Sequence, residues 1–157
     1  MTIRKAGERD IEAVCAITVA AWTPIYETYR RELGDEIFET FFSDWQSGKR
    51  ASVTAAMRGE RGYVTERDGR VVGFISYFAD TRTKTGVIGE NAVAPDCRGQ
   101  GIAGAQYAFV FERMREEGLT GARVTTGLDE SHAPARRAYG KAGFEAGMPS
   151  ITYYRNL

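Results

Sequence analysis

The sequence predicts a single domain of mixed α/β architecture, and three observations predict it. The chain has 157 residues, 43% hydrophobic and 27% charged, the size and balance of one globular unit rather than a disordered or fibrous chain. Its apolar residues change period along the chain, from helical spacing to strand-like runs and back. A glycine-rich turn around residue 100 joins a strand-like run directly to a helix-like one.

The elements follow in order. Residues 2–5 read as a short strand. Ile11, Val14, Cys15, Val19 and Trp22 then share one helical face, and Pro24 is expected to interrupt that helix. A second helix carries Ile37, Phe38, Phe41, Phe42 and Trp45 on one side; residues 46–61, with Gly48 and Gly59, read as loop mixed with a short helix. Residues 62–67 and 70–79 are strands around Asp68-Gly69, a pair suited to a tight hairpin turn. A third strand covers 84–93 and ends at Val93-Ala94-Pro95. Ile102, Ala105, Phe109 and Val110 mark a helix that Gly118 terminates. Residues 122–126 read as a strand. Residues 131–142 read as a helix with Pro134 in its first turn and Gly143 past its end. Residues 144–155 supply one or two final strands. The order β, α, α, β, β, β, α, β, α, β gives a mixed twisted sheet of about six to seven strands flanked by about four helices. No repeat, low-complexity tract or linker divides the chain, so residues 1–157 form one domain.

Composition narrows the function classes. Lys plus Arg and Asp plus Glu both total 21, so the formal net charge is zero. A nucleic-acid surface or polybasic membrane patch usually leaves a positive excess, so neither partner is expected. No apolar run approaches the ~20 residues of a membrane helix, and Met1–Gly7 carries no apolar signal region. Cys15 and Cys97 are too few for a disulfide framework and lack metal-ligand company. A cytoplasmic protein without a metal site is expected.

The informative segment runs Val93-Ala94-Pro95-Asp96-Cys97-Arg98-Gly99-Gln100-Gly101-Ile102-Ala103-Gly104. Glycines without Cβ atoms let backbone N–H groups approach a ligand, and a helix N-terminus adds partial positive charge, which together suit a pyrophosphate. Gly99, Gly101 and Gly104 also satisfy the dinucleotide fingerprint G-x-G-x-x-G. Context rejects that reading. Five residues separate Val93 from Gly99, only 53 follow Gly104, and the position expected to bear a ribose-binding acid lies near the apolar Val124.

Arg98-Gly99-Gln100-Gly101-Ile102-Ala103 resembles the acyl-CoA signature of the GNAT superfamily of N-acetyltransferases. Ile3-Arg4-Lys5-Ala6 followed by Asp10-Ile11 is similar to that family's first strand and helix. His132 to Phe144 is similar to its later Asn-x-x-Ala-x-x-x-Tyr-x-x-x-Gly-Phe motif, with His132 in place of Asn. The resemblance implies acetyl-CoA bound in a slot between two splayed parallel strands, residues 84–93 and 122–127. Pantetheine would pair with backbone groups around Ala92 and Val93. Arg98, Gly99, Gln100, Gly101, Ile102, Ala103 and Gly104 would hold the pyrophosphate, with Arg136, Arg137 and Lys141 available to the cofactor's phosphates or simply solvated.

The same resemblance implies direct attack by a primary amine of a small molecule or peptide on the thioester. Tyr139 would be the acid for the departing thiolate; on an amphipathic helix it reads also as a packing tyrosine. Glu90, in the strand entering the signature, is the candidate general base, or else a solvated strand carboxylate; a bulge common in that strand hides which way it faces. Where some relatives carry a glutamate on the next strand, this chain has Gly127. His132 is a cofactor contact or a cap. Trp22 and Tyr26, with Tyr29, are candidate walls for the acceptor, or aromatic core. A non-catalytic acyl-CoA sensor of the same fold is the other reading, and a homodimer is compatible with either.

Overall fold

The computed structural model describes residues 1–157 and contains one five-stranded sheet in the order β1-β2-β3-β4-β5. The strands are β1 (Thr2–Lys5), β2 (Gly62–Arg67), β3 (Arg70–Asp80), β4 (Thr85–Val93) and β5 (Gly121–Arg123). Neighbours are antiparallel except β4 and β5, which are parallel. The helices are α1 (Ile11–Leu33), α2 (Asp35–Phe42), α3 (Trp45–Arg58), α4 (Ile102–Glu116) and α5 (Ala133–Lys141).

The hairpin between β2 and β3 forms as its turn chemistry requires: Asp68 has φ +52° and Gly69 φ +76°, both left-handed, as a two-residue type I′ turn demands. β3 is the central strand and is buried on both faces. Val72 and Phe74 join Val14, Cys15 and Ile17 of α1 and Val53 and Met57 of α3. Ile75 and Tyr77, on the opposite face by strand alternation, join Tyr107, Val110 and Met114 of α4 and Tyr139 of α5. Helices therefore cover both faces of the sheet.

Three sequence expectations are corrected. Pro24 does not interrupt its helix, since α1 runs unbroken for 23 residues. The proline removes one amide donor and opposes the carbonyl of Ala20. Both residues are exposed, so water can take the released carbonyl while Ile17, Thr18 and Thr28 remain buried. Residues 45–58 are helical throughout as α3: an interior glycine such as Gly48 costs about 1 kcal/mol, and burial of Val53 and Met57 outweighs it. No strand follows α5. Gly147 and Pro149 interrupt the segment, and a proline cannot donate to a ladder. Instead Tyr154 packs against Phe41 and Phe42 of α2 at 5.1 and 5.5 Å, and Asn156 Nδ2 donates to Glu36 at 3.2 Å. The sheet thus has five strands rather than six or seven, with five helices rather than four.

An ion cluster around the buried Asp10 ties β1 to the start of α1. Arg4 donates to both oxygens of Asp10 at 2.7 and 2.8 Å and to Glu66 of β2 at 2.7 Å, and the Gly7 amide donates to Asp10 at 2.8 Å. Asp10 is only 3% exposed. The Arg4 hydrogen bonds hold its carboxyl below the ordinary range, against the opposing effect of burial. A depressed folded value means the stabilisation is present above the unfolded value, about 3.9, and is lost as pH falls through the folded one. Asp10→Asn is expected to lower stability by on the order of 3 kcal/mol at pH 7 and to flatten the loss of stability below about pH 4; urea titrations at both pH values check this.

Candidate functional site

β4 and β5 pair only at Thr85–Gly121, Gly86–Ala122 and Val87–Arg123. Beyond that point they part, and a cleft of about 1330 Å³ opens between them, floored by α4 and α5 and walled on the other side by α1 and α3. A β-bulge accompanies the parting. Ile75 faces Asn91 and Tyr77 faces Ile88, so Gly89 and Glu90 together oppose Ser76. A Cβ on Gly89 would lie 2.7 Å from Ser76 Oγ and 3.0 Å from the Phe78 ring. The bulge is pinned from both sides: Asn91 Nδ2 donates to Gly89 O at 3.0 Å, Tyr107 donates to Asn91 Oδ1 at 3.1 Å, and Ser76 Oγ donates to Glu90 O at 3.3 Å.

Past the bulge the ladder decides which backbone groups are free. Ala94 N–H donates to Val72 O at 2.9 Å, and Ala92 faces Phe74 in the same register. Alternation along an antiparallel pair therefore points the polar groups of Ala92 and Ala94 at β3 and those of Val93 into the cleft. Of the two strand residues expected to bind pantetheine, only Val93 offers its main chain.

The glycine-rich turn is held open from outside the cleft. Arg70 of the hairpin donates to both oxygens of Asp96 at 2.7 and 3.1 Å, and Arg67 donates to Gln100 Oε1 at 2.5 Å and Cys97 Sγ at 3.4 Å. Gly99 and Gly101 have φ of +76° and +78°, a region glycine enters without strain. The six consecutive amides from Gly99 to Gly104 donate to no acceptor in the protein. A Cβ at Gly104 would meet nothing within 4 Å. These six donors at the N-terminus of a 15-residue helix make a cradle of free amides that suits an anion. The Gln100 side chain turns to Arg67, and Ile102 is a core residue at 2% exposure; each can contribute only its amide. Arg98, Arg137 and Lys141 line the cleft. Arg136 does not, because its guanidinium donates to the carbonyls of Gly127 and Asp129, both at 2.7 Å.

The other end of the cleft is built from side chains. The bulge aims Glu90 inward, where Lys49 Nζ meets its two oxygens at 3.2 and 3.3 Å and Ser52 Oγ donates at 2.7 Å. Lys49 Nζ also lies 4.7 Å over the Trp22 ring. Tyr26 stacks on Trp45 at 4.2 Å, and Tyr29 lies against Tyr26 at 5.4 Å and His132 at 6.3 Å. Burial pushes the Tyr26 and Tyr29 phenols up. His132 Nδ1 is 2.6 Å from Asp129 Oδ2. Asp129 is held below the usual carboxyl range: burial pushes it up, and hydrogen bonds from Ser131 and His132 outweigh that. Tyr139 is 8% exposed on the cleft wall beside Tyr107, at 5.5 Å between rings. Burial raises its phenol above 10, partly offset by Asn91 and Tyr107.

One cleft therefore gathers Tyr139, Glu90, His132, Trp22, Tyr26 and the glycine turn. Sequence reasoning missed Lys49 and Ser52, hidden in a segment read partly as loop, and Asp129, which resembles any surface acid. It also missed Thr126, whose Oγ1 is buried without a partner on the wall facing β4. That orphaned hydroxyl and the six free amides suit a long ligand carrying an anion at one end and amide groups along its length.

The sequence matches the model of the Acetyltransferase (GNAT) family over residues 16–144. No curated protein matches the chain significantly in sequence. Among solved structures, the chain is similar to the PaiA N-acetyltransferase of Thermoplasma acidophilum in complex with coenzyme A, with 15% identity over 98% of this chain and 94% of that one and a TM-score of 0.74. It is similar to a GNAT family acetyltransferase from Brucella melitensis in complex with acetyl-CoA, with 21% identity, 98% and 92% coverage and a TM-score of 0.63. It is also similar to a ribosomal-protein alanine N-acetyltransferase of Escherichia coli, with 18% identity, 94% and 79% coverage and a TM-score of 0.65.

Gly127 is required by the pair beside it, since its Cβ would lie 2.4 Å from Asp129 Oδ2 and 2.5 Å from His132 Nδ1. Gly127→Ala is expected to lower stability by about 1–3 kcal/mol through overpacking and to displace the histidine. Thermal denaturation and the His132 ring proton resonances check both.

Proposed function

The chain belongs to the GNAT acetyltransferase family, and on that premise we propose that it transfers the acetyl group of acetyl-CoA to a primary amine of a small molecule or peptide. The observation that carries this reading is the run of six unpartnered amides, Gly99 to Gly104, where β4 leaves β5 and α4 begins. Structures of the same fold in complex with coenzyme A and acetyl-CoA support it.

The cradle amides would receive the pyrophosphate, with Arg98, Arg137 and Lys141 near the cofactor's phosphates. Val93 main-chain groups and Thr126 Oγ1 would meet the pantetheine amides. Bound acetyl-CoA supplies an activated acyl group. Trp22, Tyr26 and Tyr29 would form the aromatic wall on which the acceptor lies, beside the Lys49–Glu90 pair. Burial pushes the Tyr139 phenol up, so it keeps its proton at neutral pH as an ordinary phenol does. Full transfer to a free thiolate would be uphill, because the thiol is the stronger acid. The phenol instead donates to the sulfur as the C–S bond breaks, and collapse of the tetrahedral adduct drives the step.

Gly104→Glu tests the cradle better than a change at Gly101, where φ of +78° strains any side chain. The variant is expected to fold and to lose acetyl-CoA affinity in calorimetry, because the new carboxylate occupies the anion's space. Wild-type affinity would remove the cradle assignment.

Tyr139→Phe keeps the ring and its contacts while deleting the hydroxyl. With acetyl-CoA and a panel of primary amines, single-turnover rates followed by thiol release are expected to fall by about 10²–10⁴-fold with cofactor affinity unchanged. A wild-type protein that binds acetyl-CoA and acetylates no amine would instead be a sensor.

A further inference from the structure

Asp129 and His132 stand at the entrance to α5 as a hydrogen-bonded pair, Oδ2 to Nδ1 at 2.6 Å, on the side of the cleft that meets α1. The pair is built rather than incidental. Ser131 Oγ donates to the other Asp129 oxygen. Arg136 fixes the loop backbone on either side, at Gly127 O and Asp129 O. Tyr29 lies along the ring with 28° between planes, and the missing side chain at Gly127 leaves the space the pair fills. With Nδ1–H donating to the carboxylate, Nε2 is the acceptor nitrogen of the neutral ring, and no protein group bonds it. Glu90 differs. Both its oxygens are taken by Lys49 and one also by Ser52, so accepting a proton requires breaking a contact already made.

We propose that His132, positioned by Asp129, is the proton acceptor for the incoming amine. This rests on the acetyltransferase reading above. The acceptor ammonium gives one proton to His132 Nε2, and the resulting imidazolium stays paired with Asp129. The neutral amine attacks the thioester carbonyl, so a C–N bond forms and the C–S bond breaks. Tyr139 gives its proton to the leaving sulfur, and the second amine proton restores Tyr139 through water. His132 then releases its proton to solvent. The products are the N-acetylamine, the CoA thiol and one proton. His132 is the catalytic residue and Asp129 the positioning residue.

The test uses the full chain, acetyl-CoA, and benzylamine or whichever panel amine turns over fastest. His132 is the only histidine in the chain, so its C2–H resonance reports its titration without assignment. The titratable or charged groups facing it are Asp129 from its own loop, Tyr29 from α1 with Tyr26 and Tyr154 beyond, and Arg136 from α5. Phenols and guanidinium groups ordinarily change charge well above neutrality and carboxyls well below, so none of them shares a rate limb with the imidazole.

In wild type that limb should coincide with the C2–H titration. His132→Gln should lose the limb and about 10²–10⁴-fold in single-turnover rate at pH 7, with acetyl-CoA affinity unchanged in calorimetry. Asp129→Asn should move the ring proton from Nδ1 to Nε2, visible in the imidazole ¹⁵N shifts, and slow transfer with it. This variant carries the test should His132→Gln fail to fold. A limb retained in His132→Gln overturns the proposal in favour of Glu90 or water. A fall in acetyl-CoA affinity that accounts for the whole rate loss overturns it in favour of a cofactor contact. A transfer rate indifferent to the tautomer in Asp129→Asn overturns it as well. Wild type that acetylates no amine fails the parent reading, and the inference falls with it.

Discussion

The bulge at Gly89–Glu90 is the constraint on which the cleft depends. A parallel ladder continued past Val87 and Arg123 would satisfy the backbone groups of β4 with those of β5 and leave no slot. Two residues opposite Ser76 bend β4 away, and the strands separate. The separation is held by contacts that do not involve β5: Asn91 is fixed between Gly89 O and Tyr107, and Tyr107 sits in the core of α4. An unpaired backbone donor buried away from water would cost about 1–3 kcal/mol. The cradle amides avoid that because Gly99 and Gly101 face solvent in the open cleft. A ligand therefore displaces water rather than protein.

The same economy governs charge. A carboxylate or ammonium alone in a half-buried cleft is unfavourable, and removing one partner of such a pair leaves the other uncompensated. Here two carboxylates arrive already paired, Glu90 with Lys49 and Ser52, Asp129 with His132 and Ser131. The partners come from different elements: Lys49 and Ser52 from α3, Glu90 from β4, and Tyr29 of α1 against the histidine of the α5 entrance. Groups fixed before a substrate arrives need little reorganisation when charge develops.

Much of this was legible in the sequence where a residue type answers a local demand. Asp68-Gly69 announces the hairpin, and Gly99 and Gly101 announce left-handed turns that only glycine enters freely. The periodic apolar faces announce α1, α2 and α4, and Pro134 with Gly143 brackets α5. Legibility ended where tertiary contacts overrule local signals. Pro24 reads as a break, and only the exposure of Ala20 allows α1 to continue. Residues 144–155 alternate like a strand, and the pull of Tyr154 toward Phe41 and Phe42 takes them off the sheet. Glu90 was unreadable because a bulge breaks the period of two from which a strand residue's face is inferred. Asp129 and His132 were unreadable as a pair because the single 3-10 turn Glu130–His132 that joins them is too short to show a period.

This division follows from how the two ends of the cleft are made. The anion end is main chain: its donors are amides, its shape is the absence of side chains at Gly99, Gly101 and Gly104, and all of it comes from one contiguous segment. Such a site leaves a mark in the sequence because its residues are neighbours and their types are forced by backbone geometry. The other end is side chain, assembled from Trp22, Tyr26, Tyr29, Lys49, Glu90 and His132 on elements far apart in sequence. Each of those residue types serves equally well on a surface or in a core, so no single one announces a substrate. The side-chain wall on α1 and α3 touches the glycine turn through no hydrogen bond, while the turn is braced by Arg67 and Arg70 of the hairpin on the far side. Trp22 nevertheless packs against the core that holds Cys97 and Ile102, so on the proposed reading it is substitutions at Tyr26 and Tyr29 that would alter which amine is received while leaving the turn in place, and a change in the turn would affect every acceptor alike.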